Sequence, residues 1–303
     1  MLKSESTVSA GRRGGFTLVE LMIVVVLLGL VSAVLLQLVI NQQRFYNGAA
    51  EIIETRGSVR QMAEAIPGDL RSLAPTQDDI YSMGSTFIEY RAPIGSSVFC
   101  AGGLATITIP PIALASQSGL TAWINTPQAG DSLFIYDAVG PGIADDRWRI
   151  HELAAAPVLG TCPTASTFTA NAAEANSGWT LVLNPALTVT TQPGASIRFF
   201  RRARYQLYLA ADGRNYLGYY DCLATRMPAC STIQPVSGPY LEPGSGGLVM
   251  SYFDSTGTVT ASPNLVSRID IIARAASRNV VRSDGRQHGL YRDSLSIRVA
   301  VRN

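Results

Sequence analysis

Apolar and polar positions fall into three regimes along the chain. From Phe16 to Ile40 the sequence FTLVELMIVVVLLGLVSAVLLQLVI is apolar almost throughout; Glu20 is its one charge, and Thr17, Ser32 and Gln37 are its polar residues. At about 1.5 Å per residue, a helix of this length crosses the ~30 Å hydrocarbon core of a bilayer with some to spare. From Asn41 to about Leu73 the pattern turns amphipathic. Phe45, Ala49, Ile52, Val59, Met62 and Ile66 recur at helical spacing, with Arg44, Glu51, Glu54, Arg56, Arg60 and Glu64 between them, which predicts a helix with one polar face. Pro67-Gly68 is expected to kink or end this helix, with Asp69-Leu70-Arg71 adding a last turn. Residues 16–66 then form one rod roughly 75 Å long. A dimeric coiled coil fits less well, because Pro67 and imperfect heptads interrupt the seam.

Beyond Pro75 the pattern becomes strand and turn. Phe87–Arg91, Ala105–Ile109, Ser132–Tyr136, Arg147–Leu153, Thr180–Leu183, Ile197–Leu209, Tyr216–Tyr220, Gly247–Tyr252, Val266–Ala273 and Leu295–Val301 read as β-runs separated by Gly, Pro and Asp-Gly breaks. Tyr205–Leu209 and Tyr216–Tyr220, joined across Asp212-Gly213, predict a hairpin, and Phe253-Asp254-Ser255-Thr256-Gly257 predicts another turn. Stretches 92–103, 155–178 and 225–246 are small-residue or proline-rich and read as surface loops; no internal repeat is visible. The expected fold class is α+β: a long N-terminal α-helix followed by an antiparallel β-sheet head.

Composition sharpens this picture. Of 303 residues, 47% are hydrophobic and 15% charged, too apolar for a disordered chain. Of 24 basic and 22 acidic residues, Lys3, Arg12, Arg13 and Glu5 lie in the first fifteen positions, which leaves 21 of each sign and no lysine in the rest. A neutral body argues against nucleic-acid binding through bulk charge. The leading cations place the N-terminus in the cytoplasm and the head outside. An ordinary secretory signal is a rival, since Val31-Ser32-Ala33 imitates a cleavage site, but the apolar run continues to Ile40. A plain membrane anchor fits the length yet gives no reason for Glu20, whose carboxylate costs about 2.5–3.5 kcal/mol inside a span.

The segment Arg12-Arg13-Gly14-Gly15-Phe16-Thr17-Leu18-Val19-Glu20-Leu21 resembles the class III leader of type IV pilins and type II secretion pseudopilins. The resemblance covers about the first 35 residues. It implies a leader at 1–15, cleavage after Gly15 by a membrane-embedded aspartyl prepilin peptidase, and methylation of the new N-terminal amine on Phe16. It also implies a transmembrane and filament-core helix at 16–40, its amphipathic continuation at 41–75 and a periplasmic β-head at 76–303. Glycine before the cut leaves the backbone accessible. Glu20 becomes the fifth residue of the mature chain, and the resemblance pairs it with the N-terminal ammonium of a neighbouring subunit, so that two costly charges cancel when subunits are in register. Gly29 sits where such subunits often carry a helix-weakening glycine. Gln37 stands where many major pilins have proline, a departure that favours a pseudopilin or minor subunit. The order of an aromatic strand pair, SYFDSTG at 251–257, Ser267–Ile272 and a terminal Val299–Asn303 strand resembles the W-type minor pilins and J-type pseudopilins.

The four cysteines, Cys100, Cys162, Cys222 and Cys230, are expected outside the cytoplasm, where disulfides form. Of three possible pairings, a local Cys222–Cys230 bridge around Met227-Pro228 is favoured and leaves Cys100–Cys162. A Cys₄ zinc site lacks any Cys-x₂-Cys knuckle. Arg198-Phe199-Phe200-Arg201-Arg202-Ala203-Arg204-Tyr205 has the look of a nucleic-acid track, but a strand whose arginines face outward or pair with acids is the simpler expectation. Asp137 through Asp145-Asp146 does not match a calcium loop. His151-Glu152 beside Trp148 reads as a strand edge, and neither His151 nor His288 belongs to a catalytic or metal-binding motif. No enzyme activity, metal or cofactor is expected. The expected role is structural: a minor pilin or pseudopilin assembled through its N-terminal helix, at the tip or in filament initiation because of its large head. The expected partners are other pilin or pseudopilin subunits, prepilin peptidase, the inner-membrane assembly platform and membrane lipid. The alternative is a membrane-tethered adhesive or ligand-binding module, DNA uptake included, displayed on a pilus-like filament.

Overall fold

The computed structural model describes Gly15 and residues 17–113, 119–138, 146–163, 168–188, 191–221, 233–281 and 289–302. One helix, α1 (Leu18–Leu70, 53 residues), precedes everything else; at 1.5 Å per residue it is about 80 Å long. Its first half is apolar and long enough to cross a membrane, and no part of that apolar stretch is buried. Its second half packs on the head through Val59, Met62, Ile66 and Leu70, all buried.

Pro67 does not end the helix, which continues through Leu70. Ile66, Leu70 and Leu73 are fully buried, and the Arg71 N–H donates to the Pro67 carbonyl at 3.1 Å. Packing of the apolar side chains on both sides of the proline therefore outweighs the one helical hydrogen bond that proline removes. Phe45 also departs from expectation. It is 72% exposed, because contact with the head begins only around Gly48 and Ala49.

The head is built from antiparallel strands: β1 (Ile80–Gly84), β2 (Phe87–Val98), β3 (Ala101–Gly102), β4 (Thr106–Ile109), β5 (Ala122–Trp123), β6 (Ser132–Ala138), β7 (Asp146–Leu153) and β8 (Val158–Gly160). After a one-turn helix, α2 (Ala172–Ala175), come β9 (Gly178–Asn184), β10 (Ser196–Leu209), β11 (Asn215–Asp221), β12 (Ile233–Tyr240), β13 (Leu248–Phe253), β14 (Arg268–Val281) and β15 (Gly289–Ala300). The main path of the sheet runs β13-β14-β12-β11-β10-β6-β7-β9-β4-β3, with β2 also paired to β10 and β15 to β14. Each β-run expected from alternation lies in one of these strands or overlaps it. The β10–β11 hairpin pairs Tyr205 with Tyr219, and Asp254 closes the turn after β13 by accepting from the Thr256 and Thr258 backbone N–H groups. The Thr256 hydroxyl, followed by those amides, holds the exposed Asp254 carboxyl below its ordinary range.

The stretches 92–103 and 225–246 are not simply loops. β2 runs on to Val98, and β12 occupies 233–240. Their prolines hid them. Pro93 lies at the register shift where β2 meets Phe199 and Phe200, and Pro235 lies at a shift between β11 and β12, places where a strand tolerates a missing N–H. Within 155–178 the structure adds the short β8 and α2.

Two apolar clusters fill the head. One gathers the α1 side chains with Ile88, Tyr90, Ala203, Tyr205, Leu217, Met250, Ile269 and Ile271. The other gathers Ile94, Phe99, Ile107, Leu133, Ile135, Leu181, Ile197 and Phe199. The long strands β2 and β10 run through both, so they tie the half that holds the rod to the half that projects away from it.

Candidate functional site

At the N-terminal end, Gly15 is exposed, and a Cβ added there would meet no neighbouring atom. Residues 1–14 and Phe16 lie outside the described residues. Thr17 is the N-cap of α1: its backbone is extended, and its hydroxyl accepts from the Glu20 N–H at 3.2 Å. Cap and acid thus occupy the positions where a helix start has free N–H groups and a positive dipole end. Glu20 is exposed, as are the apolar side chains that follow it from Leu21 to Ile40. This end of the chain presents a capped helix, one carboxylate and an unsatisfied apolar surface.

The two halves of the rod differ in their partners. On the second half, Ser58 donates its hydroxyl to the Gly238 carbonyl at 2.7 Å and accepts, through its own carbonyl, from the Tyr240 hydroxyl at 2.7 Å. Gly238 has φ +148°, and a Cβ there would strike the Tyr216 ring, so glycine permits this close approach. Glu51 accepts from the Arg278 and Asn279 backbone N–H groups, and Arg278 pairs with Glu54 at 2.7 Å. At the rod's end, Asp69 accepts from both Tyr90 and Tyr205. Burial, then the neighbouring Tyr205 hydroxyl and Asp69, pushes the Tyr90 hydroxyl well above its ordinary value. Tyr205 and Tyr219 are pushed the same way, burial again leading.

The arginine-rich strand resolves into ion pairs. Arg201 points inward: its Nε and Nη2 bond both Asp131 oxygens at 2.8 and 2.7 Å, and Nη1 meets Asp221 at 3.4 Å. Hydrogen bonding to Asp131 leads in raising its pKa, against the burial that lowers it. Arg202 and Arg204 both turn to Glu89, which is 2% exposed. Arg198 makes no ion pair among the described residues and lies over the Trp148 ring at 4.6 Å. Three of the four cations are thus engaged by acids within the fold, the opposite of a free cationic track.

The remaining expected residues are placed as follows. Cys100 and Cys162 form a disulfide with Cα atoms 5.7 Å apart; Cys222, Cys230 and His288 lie outside the described residues, as does most of the Asp137–Asp146 loop. His151 is buried on β7, its Nδ1 2.8 Å from the Pro185 carbonyl oxygen. Among the described residues no group of three or more His, Cys, Asp or Glu side chains is placed to hold a metal. Arg201 pairs with acids, as expected for this arginine run, and it occupies the inward row of β10 with Ile197, Phe199, Ala203, Tyr205 and Leu207; no local pattern marks Asp69 or Glu89 as partners.

The N-terminal end also carries a known family signature. Residues 11–36 match the prokaryotic N-terminal methylation motif. This motif supports a type IV pilin-like or pseudopilin protein, with prepilin processing and assembly alongside other pilins. The match spans the capped helix start, Glu20 and most of the exposed apolar run, and leaves the head outside it. No curated protein and no solved structure matches the chain.

Proposed function

We propose that the chain is a minor pilin or pseudopilin. Prepilin peptidase cuts it after Gly15, the new N-terminal amine of Phe16 is methylated, and the protein enters an envelope filament through α1. The observation that carries this is the methylation motif set on a helix whose apolar half is exposed throughout. Before assembly that half sits in the inner membrane with the head in the periplasm; afterwards neighbouring subunits cover it. Glu20 docks against a neighbour's N-terminal ammonium. A head of this size packs poorly along a uniform filament, which favours the tip or the initiating complex, and the order of the last strands favours a W-type or J-type subunit. No catalytic chemistry is assigned to the chain, and its contribution is structural.

The test is intact mass and N-terminal sequencing of the full chain after co-expression with a prepilin peptidase. The expected product begins at N-methyl-Phe16. A product beginning near Val34 overturns the reading in favour of ordinary secretion, and an uncut chain leaves a plain anchor.

A further inference from the structure

A groove of about 650 Å³ opens where the end of the rod, strands β2 and β10, and the C-terminal segment come together. Its apolar lining includes Ile124, which is 80% exposed, and Phe200, whose ring packs against Phe134 at 4.8 Å. Four charged side chains line it: Asp79, Arg91, Arg198 and Arg302. Asp79 is already spent, because Oδ1 accepts from Arg91 at 2.7 Å and Oδ2 from the Ala74 N–H at 2.8 Å. Arg91 is correspondingly buried and satisfied. Arg198 and Arg302 are exposed and make no ion pair among the described residues.

Arg198 is held by its side chain and Arg302 by its backbone. Arg198 lies 4.6 Å above the Trp148 ring, a stacking that fixes the guanidinium plane and leaves its N–H edge to receive a carboxylate in bidentate fashion. Arg302 is tied by its backbone N–H to the Leu73 carbonyl at 2.9 Å, which sets it beside the rod's end. Because Arg198 covers the face of Trp148, that ring is less suited to stack a sugar than to present a cation. A net positive groove beside an exposed aliphatic and an aromatic side chain fits an acid flanked by apolar residues.

We propose that this groove binds an acidic peptide segment of a partner protein. A carboxylate docks on Arg198, a second acid or the next carboxylate on Arg302, and an adjoining apolar side chain covers Ile124 and Phe200. The proposal concerns the head alone and stands or falls independently of processing at Gly15.

The test uses the full chain in non-ionic detergent, titrated calorimetrically with acetyl-Leu-Glu-Glu-Phe-amide, its Gln-Gln analogue and trigalacturonate, with tryptophan fluorescence in parallel. The acidic peptide is expected to bind, the Gln-Gln analogue about tenfold or more weaker, and R198Q and R302Q each to lose about tenfold. Added salt weakens binding, and W148F removes the fluorescence change. R292Q, on the exposed strand β15, serves as control and keeps full affinity, while circular dichroism shows that each variant folds. Equal binding of the two peptides, undiminished binding by R198Q and R302Q, no binding of the acidic peptide, or binding of trigalacturonate in its place overturns the proposal.

Discussion

Tyr90 donates its hydroxyl to Asp69 Oδ2 at 2.7 Å, so a side chain from the middle of the sheet grips the last turn of the rod. Tyr205, on the strand beside it, donates to the same oxygen at 2.9 Å, and the two rings stack 5.9 Å apart. This is a polar bolt at the rod's end, beside the apolar packing of Ile66 and Leu70. Replacing Asp69 with Ala strands two buried hydroxyls, and the expected loss of stability is about 2–4 kcal/mol, against about 1–2 kcal/mol for Y90F or Y205F, since a hydrogen bond to a charged group is worth more than a neutral one and an unmet buried donor costs its desolvation. Chemical denaturation of the three variants checks the order; a D69A loss no larger than that of Y90F sinks the idea of a shared acceptor.

The same bolt gives the protein an alkaline weakness. Tyr90, Tyr205 and Tyr219 have folded pKa values raised above the unfolded value near 10, burial being the largest cause in each. The folded state then holds protons that the unfolded state has released. Stability is therefore full below about pH 10 and falls above it, by roughly 1.4 kcal/mol per pH unit for each such tyrosine. Y90F, which has no phenol to titrate, is expected to show a shallower fall between pH 10 and 11.5 in denaturant midpoints. An unchanged slope counts against burial as the cause.

Much of this fold was legible in period and spacing. The rod, the β10–β11 hairpin and the Asp254 turn follow from apolar periodicity and from turn residues whose preferences are local. What was not legible is what proline and long-range charge conceal. Pro93 and Pro235 made strands look like loops because only a register shift on a partner strand makes them tolerable. Arg201 was legible as inward from its row in β10, but its partner Asp131 lies 70 residues away, a separation that no local pattern reports. The helix persists past Pro67 for the same kind of reason, since the burial that sustains it comes from strands far along the chain.

Arg201 sits between Phe199 of one apolar cluster and Ala203 of the other, with Asp131 1% exposed and Asp221 close by. Removing the cation leaves both carboxylates without their shared counter-charge. R201M is therefore expected to cost about 3–5 kcal/mol. D131N keeps Arg201 paired with Asp221 and retains an acceptor, and is expected to cost about 1–3 kcal/mol. Thermal melts of both variants decide the point: if R201M is the milder of the two, the pair is not the seam's main electrostatic support.

The Cys100–Cys162 bridge closes a loop of 62 residues around the half of the head away from the rod. Constraining a loop of that length in the unfolded chain stabilises by about 4 kcal/mol on the chain-entropy account. The C100S/C162S double variant is expected to lose about 2–4 kcal/mol, with hydrogen exchange rising first in the cluster around Ile107, Ile109 and Leu181. Exchange rising equally around Met62 and Ile66 would show instead that the head unfolds as one unit.

Glu20 separates two explanations of the same residue. As a first-turn acid it favours the start of α1 through the helix dipole, a contribution of about 0.3–1 kcal/mol that Asp also supplies. As a docking group it must reach a neighbour's ammonium, and a shortened or neutral side chain fails. E20A is expected to be cleaved after Gly15 like the parent and to be lost from sheared filaments. E20Q, nearly the same size, is lost with it, because the charge and not the shape is what cancels. Immunoblots of membrane and filament fractions, alongside N-terminal sequencing, read both steps at once. Normal incorporation of E20Q would leave the carboxylate with only its local work at the helix start.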